Sequence, residues 1–311
     1  MRVLVLDGMR GVTRSVVLLL MSLLLSRAVV TAADPPDSGT TRSVTLAVYT
    51  KKLVPIVDLK ADELAISENG HERTVLGVEM DQRPLEVAMV IDSSAGVAPS
   101  YRSDLVPAVI EFWKLLPAGT SVAAWTTAPA KVAEFGSDVT RVEPKLRMIA
   151  AAGGNYAVDA MADASKELAG RGAPRRALVY VGGASVLANA QNTAELMREV
   201  GVARAVPMIV LLLSGGSDAG IGGMSGNATH SFDVQGYFAG MAKGYGGSYA
   251  ESLSPLAAAQ WLHQVAADMN GQYRVRFTSE PGPETALKVS VKRKDTKTRV
   301  GRSALDVSSA N

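Results

Sequence analysis

Val87-Ala-Met-Val-Ile-Asp-Ser-Ser-Ala-Gly-Val97 carries five apolar residues straight into a carboxylate, Asp92, with two serines and a glycine behind it. A strand that is apolar throughout is covered on both faces, as in a parallel sheet flanked by helices. In such sheets ligands gather beyond the carboxyl ends of the strands, where strand order reverses. A first strand ending in Asp92 delivers its side chain there. Two readings follow: a hard-cation site built from oxygen ligands, or a turn in which Asp92 and Ser94 cap local backbone N–H groups. Both put the pair at a surface crevice.

Three more runs resemble Val87–Ile91: Ser121–Trp125, Ala177–Val181 and Met208–Leu213. Between them the apolar residues recur with helical period. In 101–116, Leu105, Val106, Val109, Ile110, Trp113 and Leu116 share a face, and Pro117 stops the helix. In 254–269, Leu256, Trp261, Leu262, Val265 and Met269 do the same. Ser254-Pro255 serves as N-cap and first residue there, and Gly271 follows the end. Segments 155–169 and 190–202 are alanine-rich helices. The predicted order is strand, helix, strand, short strand, helices, strand, helix, strand, helix. That is a doubly wound, mostly parallel α/β (Rossmann-like) domain over 84–270.

A second class of strand alternates. Thr45–Tyr49, Tyr273–Phe277 and Leu287–Lys292 place apolar groups at every second position, the pattern of an antiparallel sheet with one wet face. They flank the α/β domain on both sides. Each flank alone is too small to bury a core, so 42–82 and 271–308 are expected to meet in one small antiparallel β module. Glu68-Asn-Gly70 predicts a hairpin turn, and the basic Lys292–Lys297 a solvated hairpin turn between two strands.

The formal charge of +2 is misleading. Residues 1–32 hold Arg2, Arg10, Arg14 and Arg27 against Asp7; without them the chain has 28 basic and 29 acidic groups, net −1. With aromatics at 5%, that speaks against a nucleic-acid partner. The absence of cysteine excludes disulfides, zinc-thiolate sites, a thiol nucleophile and cysteine lipidation. Residues 1–32 themselves read as a signal peptide: arginines, the apolar core Ser15–Leu25, then small residues at Val30-Thr-Ala32. Export to the periplasm or outside is expected, with an uncleaved anchor as the rival. No later run is long enough to span a membrane, Val206–Leu213 included.

Further stretches mark the chain in order. They are Val44–Leu59, Ala61-Asp-Glu-Leu-Ala-Ile-Ser-Glu-Asn-Gly70, Glu86–Gly96, Gly153-Gly-Asn-Tyr-Ala-Val-Asp-Ala160, Gly246-Gly-Ser-Tyr249, Gln272–Phe277, Val289–Arg293 and Val300-Gly-Arg302. In this succession the chain, over about 42–305, resembles von Willebrand factor type A (vWA) domain proteins. More narrowly, it is similar to the secreted vWA-related family of Acidobacteria. The resemblance implies a metal-ion-dependent adhesion site of pattern Asp-x-Ser-x-Ser, a threonine, and an aspartate on a third loop. Here Asp92 and Ser94 are retained. Gly96 replaces the second serine, Asn155 stands at the threonine position, and Gly182-Gly183 stand where Thr-Asp is usual. The metal candidates are therefore Asp92, Ser94 and the amide oxygen of Asn155, a degenerate set expected to bind Mg2+ or Mn2+ weakly at most. The expected partner-binding crevice is Asp92, Ser94, Asn155 and Gly183, and the partner an unidentified protein or cell surface.

Enzymatic alternatives have less to build on. A serine hydrolase on the same frame would use Ser93 or Ser94, yet no G-x-S-x-G surrounds them, and the histidines are His71, His230 and His263. Neither the glycine-rich 215–227 run, expected to be a mobile loop, nor Lys243–Gly247 fits a phosphate-binding loop. Asn227-Ala-Thr229 has glycosylation spacing.

Overall fold

The computed structural model describes residues 40–128, 130–184, 187–188, 190–213, 233–280 and 287–305, all within one compact unit, Thr40–Asn311. The expected signal peptide, the 215–227 loop, Asn227–Thr229 and His230 lie outside the described residues. Along the chain run β1 (Thr40–Thr50), β2 (Leu64–Glu68), β3 (His71–Arg73), β4 (Val75–Met80), β5 (Leu85–Ile91) and α1 (Val106–Leu115). Next come β6 (Ser121–Thr126), β7 (Ala130–Ala133), α2 (Val139–Met148), α3 (Ala157–Ala169), β8 (Arg175–Gly183), α4 (Thr193–Ala203) and β9 (Val206–Leu212). The last are α5 (Val234–Gly244), β10 (Ser248–Ser252), α6 (Ala258–Asn270), β11 (Gln272–Ser279), β12 (Leu287–Val291) and β13 (Thr296–Leu305).

The apolar runs form the central sheet, order β10-β9-β8-β5-β6-β7, parallel except for β7. Every residue of β5 is buried. One face packs on α1, α2 and α6, the other on α3, α4 and α5, so the sheet is covered on both sides as its composition demands. The chain leaves β5 towards β6 on one side and returns to β8 on the other. The order therefore reverses between β5 and β8, at the end of β5 that carries Asp92.

The alternating strands build two antiparallel sheets, β13-β1-β11-β4 and β12-β2-β3, around a separate core of Val44, Leu46, Val48, Ile66, Val275 and Phe277 among others. β1 lies between β11 and β13, so strands from both flanks pair directly. The Glu68–Gly70 turn forms as expected: Glu68 faces His71, and Asn69 and Gly70 both have positive φ, the signature of a tight two-residue hairpin. The 292–297 turn is different. Its strands β12 and β13 belong to different sheets, because β12 takes β2 as its partner, so this is a connection between sheets and not a hairpin. Within the α/β domain two elements escaped the sequence reading, α5 and β10; Lys243–Gly247 is the end of α5 and the turn into β10.

Arginine side chains fasten the sheets together. Arg299 of β13 pairs with Asp268 of α6 at 2.8 and 2.9 Å, both nearly buried. Arg175 at the start of β8 donates to the carbonyls of Asp81 and Met269 and to Gln272 Oε1. Among the described residues no helix is long and apolar enough to cross a membrane.

Candidate functional site

Asp92 sits at the strand-order reversal, one residue past β5, and the structure brings Asp92, Ser94, Asn155 and Gly183 together there. They lie beneath the surface and not at it: Asp92 is 0% exposed, Ser94 and Asn155 each 2%. The cause is a strapping of loops. Ala152 N–H donates to Ser93 O, Ala95 N–H to Gly153 O, and Tyr156 N–H to Thr127 O, drawing the loops after β5 and β6 and before α3 into one layer.

The carboxylate is enclosed by donors. Oδ1 accepts from Ser94 N–H at 2.7 Å and from the Thr127 hydroxyl at 3.1 Å. Oδ2 accepts from Gly183 N–H at 2.8 Å and from Asn155 Nδ2 at 3.3 Å. A carboxylate offers about four lone-pair sites, and all four are taken. The Asp92–Ser94 bond is the Asx-type turn that the capping reading anticipates. Ser94 itself caps nothing: its buried hydroxyl has no hydrogen-bond partner among the described residues.

Asn155 is held the other way round from a ligand. Its Oδ1 accepts from Ala157 N–H at 3.1 Å, closing the first turn of α3. Its Nδ2 points to Asp92 and to the Tyr180 hydroxyl at 3.1 Å. Flipping the amide would set oxygen against oxygen at Asp92 and N–H against N–H at Ala157, so the network fixes the orientation.

Gly182 approaches so closely that a Cβ there would stand 2.3 Å from the Tyr180 hydroxyl and 2.4 Å from Asp92 Cβ. No side chain fits at this position without displacing one of them. Tyr180 and Tyr101 add their rings to the enclosure. Burial, then the negative charge of Asp92, pushes the Tyr180 phenol well above its ordinary pKa, and the same two causes push Tyr101 up to about 12. Sequence reasoning missed Thr127, Tyr180 and Tyr101. The one available signal was Thr127, a hydroxyl-bearing residue just past the apolar stretch Ser121–Trp125.

Ser93 and Ser94 have no base. Ser93 Oγ accepts from Ala128 N–H, and among the described residues no hydrogen bond joins either serine to a histidine. His71 lies in β3, and His263 on α6 stands 3.0 Å from Glu111. Among the described residues no three His, Asp or Glu side chains gather as a metal cluster.

Above this layer the described strand-end surface is largely apolar, with the exposed Arg102 beside Pro99. Ala95, Gly96, Ala98, Pro99, Gly153 and Gly154 are exposed, and Tyr156 is 37% exposed. Beyond β10, Leu253 is 82% and Leu256 74% exposed, and the turn 255–257 packs against 101–105.

No protein-family model and no curated protein matches the chain. Among solved structures, it is similar to a von Willebrand factor type A protein from Catenulispora acidiphila (11% identity, 87% of this chain and 75% of that one, TM-score 0.44). It is similar also to the vWF domain of the type V pili tip protein Mfa5 from Porphyromonas gingivalis (10% identity, 60% and 95%, TM-score 0.43). A third is the manganese-loaded TRAP protein of Plasmodium vivax (12% identity, 74% and 98%, TM-score 0.43). Similarities this loose assign no function and no residue.

Proposed function

We propose that this chain is an exported, non-enzymatic recognition protein of the secreted vWA-related kind, binding a protein or cell-surface partner at the strand-end face. Residues 1–32 are removed as a signal peptide; 42–82 and 271–308 form a β module around the α/β domain of 84–270. The observation that carries this reading is the set of exposed apolar side chains, Leu253, Leu256, Pro99 and Tyr156, on the strand-end side of the sheet, the side on which α/β sheets bind ligands.

The resemblance implies a divalent cation at Asp92, and the residues present do not fit one. Every acceptor position of the carboxylate faces an N–H or O–H, the Asn155 oxygen faces α3, and Gly182 leaves no room for another ligand. Mg2+ surrenders its waters only to a well-ordered oxygen set. The adhesion site is degenerate, and recognition by the face above it is metal-independent.

Capture of an envelope partner by the mature chain tests this. Binding should survive chelation and fail in the Leu253→Asp/Leu256→Asp variant, whose melting temperature should match the wild type. Binding unchanged in that variant would sink the proposal. A serine-reactive phosphonate distinguishes the hydrolase reading: it should label neither Ser93 nor Ser94.

A further inference from the structure

A cavity of about 150 Å3 lies at the opposite end of the parallel sheet from Asp92. It opens where the starts of β8 and β9 meet β1 and β13 of the four-stranded sheet. Its charged lining is arginine alone: Arg83, Arg175, Arg176 and Arg204. Arg83 is compensated, with Nε and Nη2 on the two oxygens of Asp81 at 2.8 and 2.7 Å. Arg175 has Asp81 3.9 Å from its Nε, an ion pair too long for a hydrogen bond, and among the described residues Arg176 and Arg204 meet no carboxylate.

Arg175 is 6% exposed and bonds only neutral oxygens; its Nε has no hydrogen-bond partner and stands 3.9 Å from Asp81. Arg176 donates to the carbonyls of Ala173 and Ala203, both at 2.9 Å. Arg204 makes no side-chain hydrogen bond or ion pair among the described residues. Carbonyl dipoles orient a guanidinium but do not neutralise it, and gathering such cations costs free energy unless an anion joins them. Burial outweighs the nearby Asp81 charge and holds the Arg175 pKa below its ordinary value.

Arg204 supplies a second, independent observation. It closes α4 with φ 51° and ψ 30°, the left-handed cap where glycine is the easy choice. A side chain there is strained, and strain of this kind collects at functional positions. Here the residue in that position is an arginine at the cavity's rim.

We propose that this cavity binds a small oxyanion, a phosphate or a carboxylate, through Arg176 and Arg204, with the charge of Arg175 in the cavity wall behind them. Guanidinium forks match the paired oxygens of both groups. The volume suits an ion of that size and not an extended polyanion. The site is remote from the strand-end face, and its failure would leave the recognition reading standing.

The test titrates the purified chain with inorganic phosphate and, separately, with succinate, at ionic strength held constant with chloride. Calorimetry should give saturable one-to-one binding for at least one of them, and the responding anion names the class. Arg204→Gly relieves the strained cap, so in plain buffer it should melt no lower than wild type. Its affinity should fall about ten-fold or more with the charged bonds lost. Arg204→Lys keeps the charge without the fork and should fall between the two. Arg198→Ala, at an exposed arginine of α4, should bind like wild type. Absence of saturable binding for both anions, equal affinity in Arg204→Gly, or an identical effect from chloride would overturn the proposal.

Discussion

Replacing Asp92 by Asn tests whether the carboxylate belongs to the hydrogen-bond network or is held in reserve for a cation. The substitution is nearly isosteric and removes the charge. Asn offers one oxygen and one NH2, whereas both faces of Asp92 meet a backbone N–H: Ser94 N at 2.7 Å and Gly183 N at 2.8 Å. Whichever way the new amide turns, one buried N–H is left facing another donor. Hydrogen bonds to a charged group contribute about 1.5–3 kcal/mol each, and an orphaned buried donor costs about 1–3 kcal/mol. Two charged bonds lose their acceptor and two others weaken, so the expected loss is about 3–5 kcal/mol. At about 2–4 °C per kcal/mol for a large domain, the melting temperature should fall by on the order of 10 °C. Urea unfolding in the presence of EDTA at neutral pH measures this directly. A carboxylate poised for a cation would behave in the opposite way, since its removal relieves an uncompensated charge. A loss smaller than about 1 kcal/mol, or a gain, would refute the closed-network account.

Gly182→Ala should cost about 3 kcal/mol or more, seen as a lower denaturation midpoint, because its methyl would collide with the Tyr180 hydroxyl and Asp92. Arg299→Ala leaves Asp268 buried without its partner and should cost about 3–5 kcal/mol in the same assay. Burial would raise the Asp81 pKa, but the hydrogen bonds and charge of Arg83, with Arg175 behind them, hold it below the ordinary carboxylate value of 3.8. A depressed folded-state pKa contributes stability above the unfolded value that is lost as pH falls through the folded one. Wild-type stability should therefore decline below about pH 4, and Asp81→Asn should be less stable at pH 7 with a flatter acid limb.

The central sheet was legible because four of its strands are apolar on both sides, and only a sheet covered by helices uses such strands. β10 was not: Ser-Tyr-Ala-Glu-Ser is polar at three of five positions, as suits an edge strand half open to solvent. α5 carries Gly236, Gly240 and Gly244, which read as loop, yet Asp233 caps it by accepting from Gly236 N–H, and Phe238 and Met241 anchor it in the core. The 292–297 turn misled because adjacent strands usually pair, whereas β12 finds β2 across most of the chain's length. At the site, Asp92 announced itself by ending an apolar run. The resemblance set Asn155 and Gly183 beside it, but its closure by N–H groups from both and by the Thr127 hydroxyl was hidden, because it depends on strand order and loop strapping, both non-local. The direction of the Asn155 amide was beyond any sequence, being decided by a helix N–H two residues on.

The seating of β1 has a temporal consequence. Its register partners lie in β11 and β13, with Thr40 opposite Ser279 and Arg42 opposite Leu305. On a ribosome adding about 5–20 residues per second, β1 waits on the order of 10–50 s for its neighbours to be made. Until then Val44, Leu46 and Val48 have no sheet to join. The first strand to emerge is among the last to be paired, and the nascent chain carries an open apolar edge throughout its synthesis, a task for a holding chaperone.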